Sequence, residues 1–261
     1  MLKVKAKALV KVNLMDIFKP ILPVIIIMSL ITGCTASHTD DRSAGGSGDS
    51  GAGQRFTDNT QSEEMSKIET AKINAQLGIA YLEKKNVQRA KQKLLLALQQ
   101  APNIPEPWYS MAYFLEATGN TDEARKYYMK SLQVAPGRGD VENNYGTFLC
   151  RSGHYQESIK HFMLATRAPD YLDPAAAYEN AGICSMKIKA YSQASFYFSQ
   201  ALLKDPARNL SLLKLAEVDI KLKKFKAARQ LLNQFTLVSQ PTPEYASIIE
   251  QLNNADRNKA G

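Results

Sequence analysis

The 261-residue sequence has only three cysteines, three histidines and one tryptophan. Three cysteines cannot make the disulfide framework of a small secreted domain, and a chain of this size does not need one. His38, His154 and His161 stand in no H-E-x-x-H pattern and at no zinc-type spacing from cysteine. G-x-S-x-G, P-loop and dinucleotide-binding glycine patterns are absent too, so no nucleophile gains a base and an orienting group. No uninterrupted apolar run reaches the roughly twenty residues a bilayer-spanning helix needs. The expectation is a chain that is not an enzyme and has no metal, cofactor or small-molecule substrate. In excess is positive charge, 33 Lys+Arg against 25 Asp+Glu, for a formal net charge of +8. That balance raises nucleic acid or a membrane surface as partners, depending on where the charge sits.

Much of it sits at the start. Lys3, Lys5, Lys7, Lys11 and Lys19 precede an apolar stretch from Ile21 to Ile31, broken by Pro23 and Ser29. A basic start followed by a short apolar stretch is the pattern of an export signal, removed on secretion. The stretch ends in Ile31, Thr32, Gly33 and Cys34, which resembles the lipobox of bacterial lipoproteins. The resemblance implies cleavage after residue 33 and acylation of Cys34, with several acyl chains because a single one binds a membrane only marginally. Thr35, where an Asp usually retains a lipoprotein at the inner membrane, points to the outer membrane and its periplasmic face. With residues 1–33 removed, 28 basic residues face 24 acidic ones over 228 positions. That is an ordinary solvated surface, and no nucleic-acid partner is expected. Residues 34–66, rich in Gly and Ser between Ser43 and Gly53, read as a flexible tether from the lipid.

From residue 71 the sequence repeats with successive spacings of 34, 34, 36 and 34 residues. Gly78, Ala112, Gly146, Gly182 and Ala216 share one column, and Ala90, Ala124, Ser158, Ala194 and Ala228 a second. Leu94, Tyr128, Phe162, Phe198 and Leu232 share a third, and prolines close the units. These columns resemble the tetratricopeptide repeat, with Trp108 where that signature has its tryptophan. The fold expected is all-α: a tetratricopeptide superhelix over 67–253, with repeats near 71–104, 105–138, 139–172, 175–208 and 209–242. A capping helix is expected at 243–253 and a tail at 254–261. One hairpin cannot bury its apolar face alone, so the units stack into a continuous core.

In such a stack the first helix of each unit lines a concave groove. Ile79, Leu82, Tyr109, Tyr113, Asn143, Thr147 and Arg151 are the candidate partner-binding residues. Aromatics beside amides and an Arg suit an extended or helical peptide. The Lys/Asn/Arg clamp by which some tetratricopeptide proteins hold a terminal carboxylate is missing, since Glu106 and Asp140 occupy its positions. Cys150 and Cys184 lie 34 residues apart on neighbouring first helices. An oxidising compartment favours a disulfide between them, with two buried free thiols as the alternative.

A narrower resemblance lies in the third unit. The segment Asn143 to Cys150 reads N-N-Y-G-T-F-L-C and is similar to the PilF/PilW family of type IV pilus biogenesis lipoproteins, as are Gln76 to Leu82 and Ala90 to Leu98. The resemblance implies a pilotin at the outer membrane that binds the secretin PilQ, or a segment of it, and promotes its localisation and multimerisation. The family typically has six repeats, whereas here the sixth is one helix, and the long Gly/Ser segment also departs from it. The alternative is a general envelope-assembly or peptidoglycan-associated module not dedicated to pili.

Overall fold

The computed structural model describes residues 52–260, and every regular element among them is an α-helix. α1 (Ala52–Glu83) pairs with α2 (Val87–Gln100), and α3 (Pro105–Ala117) with α4 (Thr121–Val134). α5 (Gly139–Arg151) pairs with α6 (Tyr155–Ala165), α7 (Pro174–Lys187) with α8 (Tyr191–Lys204), and α9 (Asn209–Lys221) with α10 (Phe225–Val238). α11 (Pro243–Ala260) follows alone. Each hairpin packs on the next, so the five units form one stacked array.

The repeat columns explain why the hairpins close. A Cβ placed on Gly146 would fall 2.9 Å from the Phe162 ring, and one on Gly182 2.7 Å from the Phe198 ring. The small residue of each first helix thus makes room for the bulky residue of its partner. Phe162 and Phe198 are fully buried as a result. Helix starts are marked locally: the Asn86 side chain accepts from the Arg89 amide at 3.2 Å, and that of Asp173 from the Ala176 amide at 2.9 Å, with Pro174 as first helical residue.

All five intra-hairpin turns use one left-handed residue. Gly119 and Gly153 fill that position in two units, and Lys85, Lys189 and Lys223 fill it in the others, at φ 59, 56 and 60°. The residue after each donates to the carbonyl five back, as in Asn120 to Leu115 at 2.8 Å and Lys224 to Asp219 at 2.7 Å. A Cβ makes that conformation costly. Lys223→Gly is therefore expected to raise stability by roughly 0.5–1 kcal/mol, read as a higher urea midpoint at unchanged m-value. An unchanged or lower midpoint would contradict it.

Two expected boundaries move. The tether does not run to residue 66, because α1 begins at Ala52 and is helical throughout 52–66. The last glycine of the Gly/Ser-rich stretch is Gly53, and residues 54–67 hold neither Gly nor Pro, so helix propagates back from the packed part of α1. The capping helix does not stop at 253 but continues to Ala260, taking in most of the expected tail. Apolar periodicity ends at Leu252, yet nothing helix-breaking follows, and Ala255 still packs on the core. The signal segment and Cys34 lie outside the described residues.

Candidate functional site: the concave face

Two cavities lie along the face lined by first helices. The N-terminal one, about 630 Å³, sits among α1, α3 and the start of α5. Its apolar wall is Ala75, Ile79, Ala80 and Tyr109, and its charged rim is Lys72, Glu83, Glu106, Arg138 and Asp140. Arg138, just ahead of α5, reaches across two units. Its guanidinium holds Asp140 at 2.8 and 2.9 Å and Glu106 at 2.5 Å. Burial works against the Arg138 charge, but the hydrogen bonds to Asp140 and Glu106 outweigh it and hold the guanidinium pKa above its usual value. The Tyr109 hydroxyl donates to Asp140 at 3.5 Å, and burial followed by the Asp140 charge raises its pKa, so the phenol stays protonated.

The second cavity, about 310 Å³, lies between α5 and α7 and is lined by Thr147, Cys150, Arg151, Tyr155, Phe162, Asn180, Ile183 and Lys187. Arg151 binds Glu116 of α3 in a fork at 2.6 and 2.7 Å and lies 5.7 Å over the Tyr113 ring. The Glu116 carboxylate also accepts from the Tyr128 hydroxyl at 3.5 Å. Asn180 donates its side-chain amide to Asn143 at 3.0 Å, joining α7 to α5. Cys150 and Cys184 are bonded, with Cα atoms 5.8 Å apart, at the edge of this cavity.

Models of the tetratricopeptide repeat match residues 105–138 and 186–252. An uncharacterised protein of Haemophilus influenzae is 32% identical over 126 residues, covering 47% of this chain and 70% of its own. The type IV pilus assembly protein PilF of Pseudomonas aeruginosa is 28% identical over 160 residues. That match covers 61% of this chain and 64% of PilF, a little under two-thirds of its length. Among solved structures, Pseudomonas aeruginosa PilF superposes with a TM-score of 0.65 at 24% identity, covering 75% of this chain and 88% of that one. PilW, a widely conserved type IV pilus biogenesis factor, gives 0.60 at 23% identity, covering 73% and 90%. The chain is a tetratricopeptide repeat protein similar to PilF and PilW.

Not every candidate groove residue of this PilF/PilW-like protein meets open space. Ile79 and Tyr109 line the N-terminal cavity, and Thr147 and Arg151 the second. Asn143 stands between them, tied to Asn180. Leu82 differs, since it lines neither of these cavities and packs on the core cluster of Ala90, Leu94, Met111 and Phe114. Its place on the helix carries it towards α2. Tyr113 also lines neither, but it is exposed, with Arg151 over its ring. Arg151 itself is an inter-repeat ion pair, and the Thr147 hydroxyl donates to the Asn143 carbonyl at 2.8 Å. His161 is half-buried, with Nδ1 2.6 Å from Glu142 and its ring edge-on to Tyr145.

Sequence reasoning missed Arg138, which belongs to an inter-unit connection rather than a patterned helix. One signal was available. Arg208 stands at the equivalent place two units on and likewise bridges Asp173 at 3.1 Å and Glu179 at 3.2 Å. Among the described residues no group of three or more His, Cys, Asp or Glu is placed to hold a metal ion.

Proposed function

We propose that this protein is a non-catalytic scaffold of type IV pilus biogenesis, held by acyl chains on Cys34 at the periplasmic face of the outer membrane. Its concave face takes a segment of the pilus secretin, PilQ, and promotes secretin localisation and multimerisation. The observation that carries this reading is a built concave surface, two cavities on first helices, in a chain 28% identical over 160 residues to a type IV pilus assembly protein. The lipid supplies place. Holding a partner near one membrane raises its local concentration and favours assembly there.

Deletion of the gene is expected to abolish secretin multimers on blots of solubilised envelope, and twitching with them. Wild type should restore both, and Ile79→Glu should restore less than about a tenth of the multimer despite normal folding by circular dichroism. Normal multimers and twitching in the deletion strain would refute the reading. Full rescue by Ile79→Glu would move the contact off the N-terminal cavity.

A further inference from the structure

Glu106 holds an unused acceptor. Its Oε1 is taken by Arg138, while Oε2 is buried without a hydrogen-bond partner. A buried carboxylate oxygen lacking a donor is unfavourable, and such an orphan calls for an explanation. Glu106 lines a cavity of about 630 Å³, within the size range of ligand sites, and Oε2 lies just beneath its surface. Three carboxylates, Glu83, Glu106 and Asp140, line that cavity against two cations, Lys72 and Arg138. Arg138 already engages both oxygens of Asp140 and one of Glu106, which leaves Glu106 Oε2 as the unmet acceptor. Beside it Ala75 and Ile79 offer an apolar wall of the kind that the stem of a long charged side chain covers.

The second cavity has the opposite balance. Its lining includes Arg151 and Lys187 and no carboxylate, with Arg151 compensated from outside by Glu116. The face is therefore acidic at its N-terminal end and basic further along.

We infer that the groove reads the charge order of the segment it binds. A lysine or arginine side chain enters the N-terminal cavity and pairs with Glu106, whose carboxylate turns to bring Oε2 to the donor, while an acidic residue further along meets Lys187. Packed helices lie about 8–10 Å apart, and Glu106 opens α3 whereas Lys187 closes α7, so the two residues are about 25 Å apart across and along the helices. At about 3.3 Å per residue an extended segment spans this in seven or eight residues. The order fixes direction as well, because a reversed segment would set like charges against each other. This rests on the concave face being the partner-binding surface.

The test uses the purified mature chain in detergent and a displayed library of random twelve-residue peptides. Selected peptides are expected to carry Lys or Arg seven or eight positions from Asp or Glu, in a constant order. Replacing the selected basic residue by norleucine in a synthetic peptide should weaken binding at least tenfold on wild type and less than twofold on Glu106→Gln. Lys187→Glu should remove the acidic preference. The norleucine change leaves the protein untouched, so loss of folding cannot imitate the result. Selection of peptides without this charge order, or equal affinity for the norleucine peptide, would overturn the inference and leave the groove as binding surface. Failure to select any peptide would overturn the inference and count against the groove itself, whereas the secretin-multimer assay tests the pilus role independently.

Discussion

Replacing Cys150 and Cys184 together by serine is expected to lower the unfolding free energy by about 3–4 kcal/mol. The bond joins α5 to α7 and closes a loop of 34 residues, whose ends the unfolded chain must otherwise bring together at an entropic cost. Its position in the stack matters as much as the loop length. The link from α6 to α7 runs from Thr166 to Asp173, longer than the other inter-unit links, and α6 is a turn shorter than most second helices. The 36-residue spacing places its two extra residues in this unit. The bond crosses the place where the register of the stack is least regular. Cys184 is completely buried beside Ser158, whose hydroxyl lies 3.3 Å from the sulfur, so serine there also buries a hydroxyl in a snug site. Urea unfolding should show the double variant at or slightly below reduced wild type, both with midpoints well below oxidised wild type. Coincident midpoints for oxidised and reduced wild type would show that the bond contributes nothing to stability.

The repeat columns were legible because each reflects one steric requirement: a small residue at Gly146 or Gly182 where a ring from the next helix must lie flat. The groove was only partly legible. Helical register says which face a residue is on, but not how deeply a long side chain turns inward, and Leu82 turned into the core. Arg151 and Thr147 do face the groove, yet both are already engaged, by Glu116 and by the Asn143 carbonyl. In the sequence Glu106 and Asp140 are simply acidic residues at positions where a carboxylate clamp would stand. Arg138 makes them part of a three-residue network, and that network leaves one oxygen over. No periodic pattern encodes such a network, because its central member lies between helices. The turn residues tell a similar story: glycine announced two of the left-handed positions, while lysine concealed the other three.

The double substitution Ile248→Ala and Leu252→Ala is expected to be the most damaging change at the C-terminal end. Both side chains belong to α11 and are 2% and 0% exposed, set into a cluster with Leu212, Leu232 and Phe235 of the fifth hairpin. Tyr245 stacks on Phe235 at 5.4 Å, and Lys214 bonds Glu244 at 2.7 Å. Truncating a buried Leu or Ile to Ala costs about 2–5 kcal/mol. These two are neighbours on one face, so their effects should fall short of the sum. The consequence is graded along the stack, because in a repeat array each unit is held mainly by its neighbours. α11 detaches first, and α9 and α10 then present a face that the other first helices keep covered. Amide exchange should rise sharply in α9, α10 and α11 while α3 to α6 remain protected. Uniform loss of protection along the chain would mean that the array unfolds as one cooperative unit. Unchanged exchange in α9 and α10 would mean that α11 is an ornament rather than a cap. The first expected result, local fraying with an intact N-terminal half, also allows a functional separation. A variant with its cap undone but both concave cavities intact should still bind peptide, since the nearest cavity ends at Lys187, before the fifth hairpin begins.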